Sequence, residues 1–229
     1  MMIRKWDDLP IAMRSESVRS YYDMLCRKKA SLFMKRGFDL VLSSLLLFIL
    51  SPVFLLLIIL IKLDSPGPVF FRQVRITSYG RPFRIFKFRT MVCDAPERGP
   101  SITVAQDPRI TKAGKILRRF HLDELCQLLN VFQGDMSFVG TRPEVPEYVA
   151  AYTPEMWATL LLPAGITSHA SLLYRNEAAQ LNAAESPEQV YLEKILPEKM
   201  KYNLEDILEF SLRRDIVILF QTLYAVFFK

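Results

Sequence analysis

Cysteine and histidine are scarce in this chain. Its 229 residues include three cysteines, Cys26, Cys93 and Cys126, far apart and without CxxC spacing, and two histidines, His121 and His169. An odd, scattered set of thiols supplies neither a disulfide framework nor a zinc site, and it reads as reduced cysteine on the cytoplasmic side. With so few soft ligands, any metal should be a hard cation held by carboxylate and phosphate oxygens. Internal repeats and low-complexity segments are absent as well. The length suits one good core plus a membrane element and is short for two independent domains.

What the chain does have is an uneven charge. Residues 1–39 carry nine Lys/Arg against five Asp/Glu, residues 62–121 thirteen against four, and residues 122–229 eight against fifteen, for a net +6. Positive charge therefore flanks the apolar run described next and follows it, a pattern that favours anionic headgroups or phosphates. Nucleic acid would feel the same attraction. No basic run is interleaved densely enough with aromatics to prefer it, and the reading carries no nucleic-acid partner.

From Leu40 to Ile61 there are 22 residues without a charge, interrupted only by Ser43, Ser44, Ser51 and Pro52. As a helix this run would extend roughly 33 Å, enough to span a hydrocarbon core. Some forty residues precede it and no small-residue cleavage site follows, so it is not a signal peptide. Pro52 cannot donate a backbone bond and its ring collides with the carbonyl of residue 48, which predicts a kink with the Ser51 hydroxyl free to bond a displaced carbonyl. Basic residues stand on both flanks: Arg27, Lys28, Lys29, Lys35 and Arg36 before, Lys62, Arg72 and Arg75 after. Both flanks thus look cytoplasmic under the positive-inside rule. On these residues two alternatives stay open, a kinked helix that crosses and a hairpin that enters and returns.

Residues 1–30 are polar and mixed, as in a short helix or partly ordered arm. "DSPGPVFFRQVRITSYGRPFRIFKFRTM" opens with Pro and Gly and then alternates aromatic or β-branched with basic residues, which predicts extended segments joined at Gly80 and presenting Arg72, Arg75, Arg84, Lys87 and Arg89. Ile116, Leu117, Phe120, Leu125, Leu128 and Leu129 keep helical spacing, so one helix is expected from Lys112 to Phe132, ended by Gly134. A turn at "TRPE" should enter another helix. The last apolar stretch, Ile216 to Phe228, is too short to span and fits a helix at the interface or packed on the core.

Candidate chemistry centres on the adjacent carboxylates Asp123 and Glu124. Neighbours on a helix point about 100° apart, so both can reach one ion or phosphate at the helix edge. One can attack while the other holds Mg²⁺ or handles a proton. By default such a pair is a solvated face. "GDMSFVGTRPE" could cradle a phosphate with backbone N–H groups and Arg142, or could be a tight turn. Arg175, His121 and His169 are by default surface or packing residues.

The stretches "KRGFDLVLSSLLLFILSPVFLLLIILIKLDSPGPVFFRQVR", "GRPFRIFKFRTM", "DPRITKAGKILRRFHLDELCQLLNVFQGDMSFVGTRPE" and "GIT", in this order, resemble the bacterial sugar transferase family, the monotopic phosphoglycosyl transferases of small single-domain type. The resemblance covers roughly residues 33–175. It implies an α+β, mainly helical protein with an N-terminal arm or helix over 1–32, a re-entrant membrane helix over 33–63 broken at Ser51 and Pro52, and a compact cytoplasmic catalytic domain over 64–229. Interfacial amphipathic helices, the C-terminal one included, would hold that domain on the cytoplasmic leaflet of the bacterial inner membrane.

The implied reaction moves a sugar 1-phosphate from a UDP-sugar to a polyprenol phosphate such as undecaprenyl phosphate and releases UMP. In it Asp123 is the nucleophile of a covalent phosphosugar intermediate, Glu124 assists, and both bind Mg²⁺. Lys87, Arg89, Arg118, Arg142 and Arg175 bind substrate phosphates. A homodimer is left open. Thr141 replaces the usual proline of "GPRP", Ile76-Thr77 replace the usual glycine after "RV", and Ala164 is an addition; these departures bear on sugar and nucleotide contacts. Two readings compete: a membrane-attached hydrolase of diphosphate sugars, and a non-catalytic basic scaffold anchored to a membrane.

Overall fold

The computed structural model describes residues 3–95, 107–177, 181 and 186–228. Short 3-10 turns at Trp6–Asp8 and Ile11–Met13 lead into α1 (Glu16–Arg27), whose buried Val18, Tyr21, Tyr22 and Leu25 fall on one helical stripe. These side chains, with Leu9 and Met13, enter the largest apolar cluster together with Leu161, Ile195, Leu196 and Met200. The polar-looking N-terminal segment is thus built into the core through its few apolar residues.

One residue later α2 (Lys29–Ile49) begins, and its buried positions are Leu32, Lys35, Asp39 and Ser43. Three of those four are polar, while Phe33, Val41, Leu45, Phe48 and Ile49 point outward. The helix is inside-out compared with a helix on the surface of a water-soluble domain. Its inward polar groups all find partners: Lys35 Nζ donates to the Val139 carbonyl at 2.8 Å and to Asp215 at 2.5 Å, and Asp39 accepts the Phe138 N–H at 3.2 Å. Arg36 donates to the carbonyls of Val131 and Phe132 at 2.7 and 2.8 Å.

At Leu50 the chain bends by 61° into α3 (Ser51–Asp64). Pro52 lies in the first turn of α3, where a missing N–H costs nothing. The Ser51 hydroxyl donates to the Phe48 carbonyl at 2.7 Å, the bond the sequence predicts. Among the described residues no single helix is long and apolar enough to cross a membrane, but the bent pair passes that test together. The far end of α3 returns to the protein: Leu57 and Ile61 pack with Phe88, Ala113 and Leu117, and Asp64 accepts the Ala113 N–H at 2.9 Å.

Next comes an antiparallel hairpin, β1 (Phe70–Ile76) with β2 (Pro82–Phe88), in which Phe70 pairs with Phe88 and Ile76 with Pro82. Its turn contains two residues with positive φ, Tyr79 at 60° and Gly80 at 70°, close to the expected junction. Then α4 (Lys112–Arg119) starts on a Thr111 cap and crosses the end of β2 so closely that a Cβ on Gly114 would meet the Thr90 carbonyl oxygen at 2.0 Å.

The single helix expected from Lys112 to Phe132 is broken. His121 takes a left-handed conformation (φ 54°), Leu122–Gln127 is a 3-10 turn, and α5 (Leu128–Gln133) resumes before Gly134 ends it as expected. Tertiary contacts impose the break. While α4 packs against α3, Asn130 in α5 is fixed to β2 by accepting the Phe86 N–H (2.8 Å) and donating to the Arg84 carbonyl (3.1 Å).

β3 (Met136–Val139) pairs in parallel with β4 (Ala164–Thr167), and between them lie the Arg142 loop, α6 (Pro146–Val149) and a 3-10 turn at Met156–Leu161. α7 (His169–Leu173) packs Leu172 on the cluster around β3 and β4, and α8 (Pro187–Val190), a π turn at Tyr191–Ile195 and α9 (Leu196–Leu208) complete the large core. Finally, α10 (Leu212–Phe227) puts Ile218 into the cluster around β3 and β4 and leaves Val217, Phe220, Leu223 and Tyr224 outside. The architecture is α+β and mostly helical, with two small sheets.

Replacing Lys35 with Met leaves Asp215 buried without its partner and should cost about 3–5 kcal/mol. A thermal melt of the detergent-solubilised chain would show it as a lower midpoint. The double variant Lys35→Met, Asp215→Leu should recover most of the loss.

Candidate active site

The 3-10 turn after His121 carries both carboxylates of the expected dyad. With three residues per turn, neighbouring side chains diverge by about 120°, and Asp123 and Glu124 go to different partners. Glu124 Oε1 accepts from Lys87 Nζ at 2.8 Å and from Arg142 Nη2 at 2.7 Å, and Oε2 takes a longer 3.4 Å contact from Arg142 Nη1. Lys87 comes from β2, one residue before buried Phe88, and Arg142 from the loop after β3. Glu124 is therefore the point at which the hairpin, the 3-10 turn and the β3 loop are joined.

Among the described residues Asp123 makes no hydrogen bond to another side chain, and Arg118 is near enough for each to feel the other's charge. Arg118 itself is held by Nε donating to Thr90 Oγ1 at 2.9 Å. These contacts split the two carboxyls electrostatically. Burial would raise Glu124, but Arg142 and Lys87 outweigh it and hold the group well below the usual carboxylate range. Asp123 is pushed up, first by burial and then by the charge on Glu124, with Lys87 and Arg118 opposing.

Lys87, Arg118 and Arg142 thus gather with Asp123 and Glu124. Two other expected cations do not. Arg89 is buried, and its guanidinium is spent on the turn after α3, donating to the carbonyls of Ser65 (2.7 Å) and Pro66 (2.8 Å), to Ser65 Oγ (2.9 Å) and to Cys93 Sγ (3.0 Å). Gly67, at φ 117°, leaves it room there, since a Cβ would lie 2.2 Å from Arg89 Nη1. The basic row of the hairpin ends with β2 at Phe88, and Arg89, a phosphate ligand by the family resemblance, lies just past it. Arg175 is exposed, lines a cleft between α7 and α10, and has no contact to the dyad among the described residues.

The sequence reading missed the residues that hold Arg142 in place. Arg75 Nη1 donates to the Pro143 carbonyl (3.2 Å), and the Ile76 N–H donates to the Glu144 carbonyl (2.9 Å), so β1 grips the loop on both sides of Pro143. Buried Glu144 accepts from Tyr191 Oη at 2.6 Å. The quoted "TRPE" contained the signal for Glu144. Nothing local marked Tyr191, 47 positions downstream.

This chain belongs to the bacterial sugar transferase family, whose profile matches residues 30–229. It is 36% identical over 198 residues to the UDP-glucose:undecaprenyl-phosphate glucose-1-phosphate transferase of Escherichia coli (strain K12), covering 85% of this chain and 40% of that protein. The protein of the same name from Caulobacter vibrioides is 46% identical over 143 residues, 60% of this chain and 53% of its own length. Exopolysaccharide production protein ExoY of Rhizobium meliloti is 32% identical over 207 residues, 84% of each chain. The chain spans about half the length of the two transferases, and most of ExoY.

Glu124→Gln removes the neighbouring charge that raises Asp123 and frees the ammonium and guanidinium that Glu124 now occupies. Both changes favour the Asp123 carboxylate, so its pKa should fall toward or below the ordinary aspartate value, as followed by carbon-13 NMR of the carboxyl carbon.

Proposed function

We propose that the chain transfers a sugar 1-phosphate from a UDP-sugar to a polyprenol phosphate on the cytoplasmic leaflet, with Asp123 as nucleophile. One observation carries this reading: of two adjacent carboxylates, Glu124 is fixed by Lys87 and Arg142, while Asp123, beside the same cations, has no side-chain partner among the described residues.

A carboxylate oxygen of Asp123 attacks the phosphorus nearest the sugar. The bond from that phosphorus to the uridylate oxygen breaks, and UMP leaves with the electron pair. An oxygen of the polyprenol phosphate then attacks the same phosphorus, the aspartyl–phosphorus bond breaks, and the carboxylate is restored as the polyprenyl diphosphate sugar departs. Two displacements replace one in which a phosphate would have to approach a diphosphate directly. Lys87, Arg118 and Arg142 offset the repulsion between anions at each step. Burial and the Glu124 charge keep Asp123 basic enough to attack, and the cations oppose its protonation.

The residues present fit Mg²⁺. Asp123 has no side-chain partner among the described residues and Glu124 Oε2 only the longer contact, two hard donors suited to an ion that takes one or two carboxylates and fills its remaining positions with substrate phosphate and water. Bound there, it would neutralise charge on the diphosphate.

The bent pair α2–α3 acts in this reading as a re-entrant hairpin. Support comes from its two ends, since α2 is tied to β3, α5 and α10 and α3 to α4, all parts of one domain that cannot lie on both sides of a bilayer. A lipid-bound acceptor then meets the carboxylate without leaving the membrane.

With UDP-sugar and Mg²⁺ but no acceptor, mass spectrometry should find a phosphosugar on Asp123, and UMP release should stop near one equivalent. Asp123→Asn should form no adduct and lose turnover by several orders of magnitude. Continuous UMP release without acceptor would identify a hydrolase instead. For topology, Ala30→Cys and Pro68→Cys should react with a membrane-impermeant thiol reagent from the same side of inverted vesicles, and labelling from opposite sides would exclude the hairpin.

A further inference from the structure

Arg142 lies in the field of three carboxylates and, among the described residues, bonds only one of them. Glu144 and Glu177 both act on the charge of its guanidinium, yet its hydrogen bonds go to Glu124. A guanidinium has five donors and would accept any of the three as a partner. Its choice therefore depends on what holds the other two acids.

Each of them has a holder of its own. Buried Glu144 accepts from Tyr191 Oη at 2.6 Å, and Glu177, just after α7, accepts from Lys199 Nζ at 2.9 Å. Tyr191 and Lys199 are themselves buried, and the Lys199 ammonium lies 5.3 Å from the centre of the Tyr191 ring. At that separation a cation is drawn to the ring face, so the two holders brace each other. Tyr148 packs on the same ring at 5.0 Å. Tyr191 opens the π turn and Lys199 follows in α9, and local π geometry of this kind is frequent at functional sites.

What these two residues remove is competition for Arg142. Without the Tyr191 hydroxyl, Glu144 would be a buried carboxylate short of a donor, facing Arg142 and Arg75. Capture of either arginine would disturb the same contact, because Arg75 grips the backbone at Pro143. Loss of Lys199 would release Glu177 in the same way.

We propose that Tyr191 and Lys199 are positioning residues for the transfer reaction: they hold Glu144 and Glu177, so that the Arg142 guanidinium stays at Glu124 and within reach of the substrate phosphates. The proposal rests on the reaction given above for what Arg142 serves, and on the contacts of Tyr191 and Lys199 for why it stays in place.

The first measurement needs no substrate. In the full chain, labelled with nitrogen-15 and kept in detergent, the Nε–H signal of Arg142 is identified by its loss in Arg142→Lys. Tyr191→Phe and Lys199→Met should each shift that signal and speed its exchange with water. Adding Glu144→Gln to the first and Glu177→Gln to the second removes the competing charge and should return the signal to its original position, which restored packing alone would not do. Should one of the single variants fail to fold, the other pair decides. A signal that the single variants leave unmoved, or that stays displaced in the double variants, overturns the proposal.

The second measurement is calorimetric titration with UDP and Mg²⁺. Each single variant should bind UDP about tenfold more weakly, the size of one charge-assisted hydrogen bond, and each double variant should recover. Unchanged UDP affinity in the single variants would also overturn the proposal. If the unaltered chain fails to bind UDP while its Arg142 signal follows the expected pattern, the positioning role is supported and the transferase reading is refuted.

Discussion

The buried ammonium of Lys35 fixes the rest of the structure. It is enclosed by a β3 carbonyl and the Asp215 carboxylate, and one turn along α2 Asp39 accepts a β3 N–H. Removing such charges from water costs several kcal/mol per ion, and only well-placed partners offset it. A helix anchored through polar groups therefore has little freedom to slide or rotate, whereas one held by apolar contacts alone would have more. Arg36, the next residue, takes the carbonyls that end α5, and α5 directly follows the turn carrying Asp123 and Glu124. Helix α2, with its outward apolar face, and the dyad thus share one attachment, and movement of one relative to the other would break bonds on consecutive residues.

A second junction, at Glu124, governs the site. Lys87 and Arg142 reach it from segments 55 positions apart in the chain, and Arg75 holds the backbone next to Arg142. Because both cations bond Glu124, its neighbour keeps a reactive carboxylate inside a positive field without being neutralised by a direct ion pair. Burial raises both acids, but the two cations hold Glu124 down while its charge pushes Asp123 further up. The arrangement gives one carboxylate a structural task and leaves the other for chemistry.

Much of this was legible in the sequence because the signals were local. The collision at Pro52, the Ser51 hydroxyl, the hairpin at Gly80 and the stop at Gly134 each follow from one or two residues. The half-buried C-terminal helix followed from its length and apolarity. What was not legible depended on distant contacts. His121 breaks the expected helix without Gly or Pro, since the apolar spacing continues on both sides of it and only the competing attachments of α4 and α5 force the turn. Arg89 looked like one more member of a basic row until the strand ended one residue earlier. The inward stripe of α2 escaped a search for apolar periodicity because its buried residues are mostly charged or hydroxylic.

The N-terminal segment has a consequence for how the molecule is assembled. Leu9, Met13, Val18 and Leu25 are covered by residues between positions 149 and 210, whereas α2 and α3 lie between those two regions of the chain. During synthesis the bent apolar pair α2–α3 emerges long before the residues that bury the segment ahead of it. The growing chain would then carry an uncovered apolar arm beside an uncovered apolar helix pair until its second half arrives.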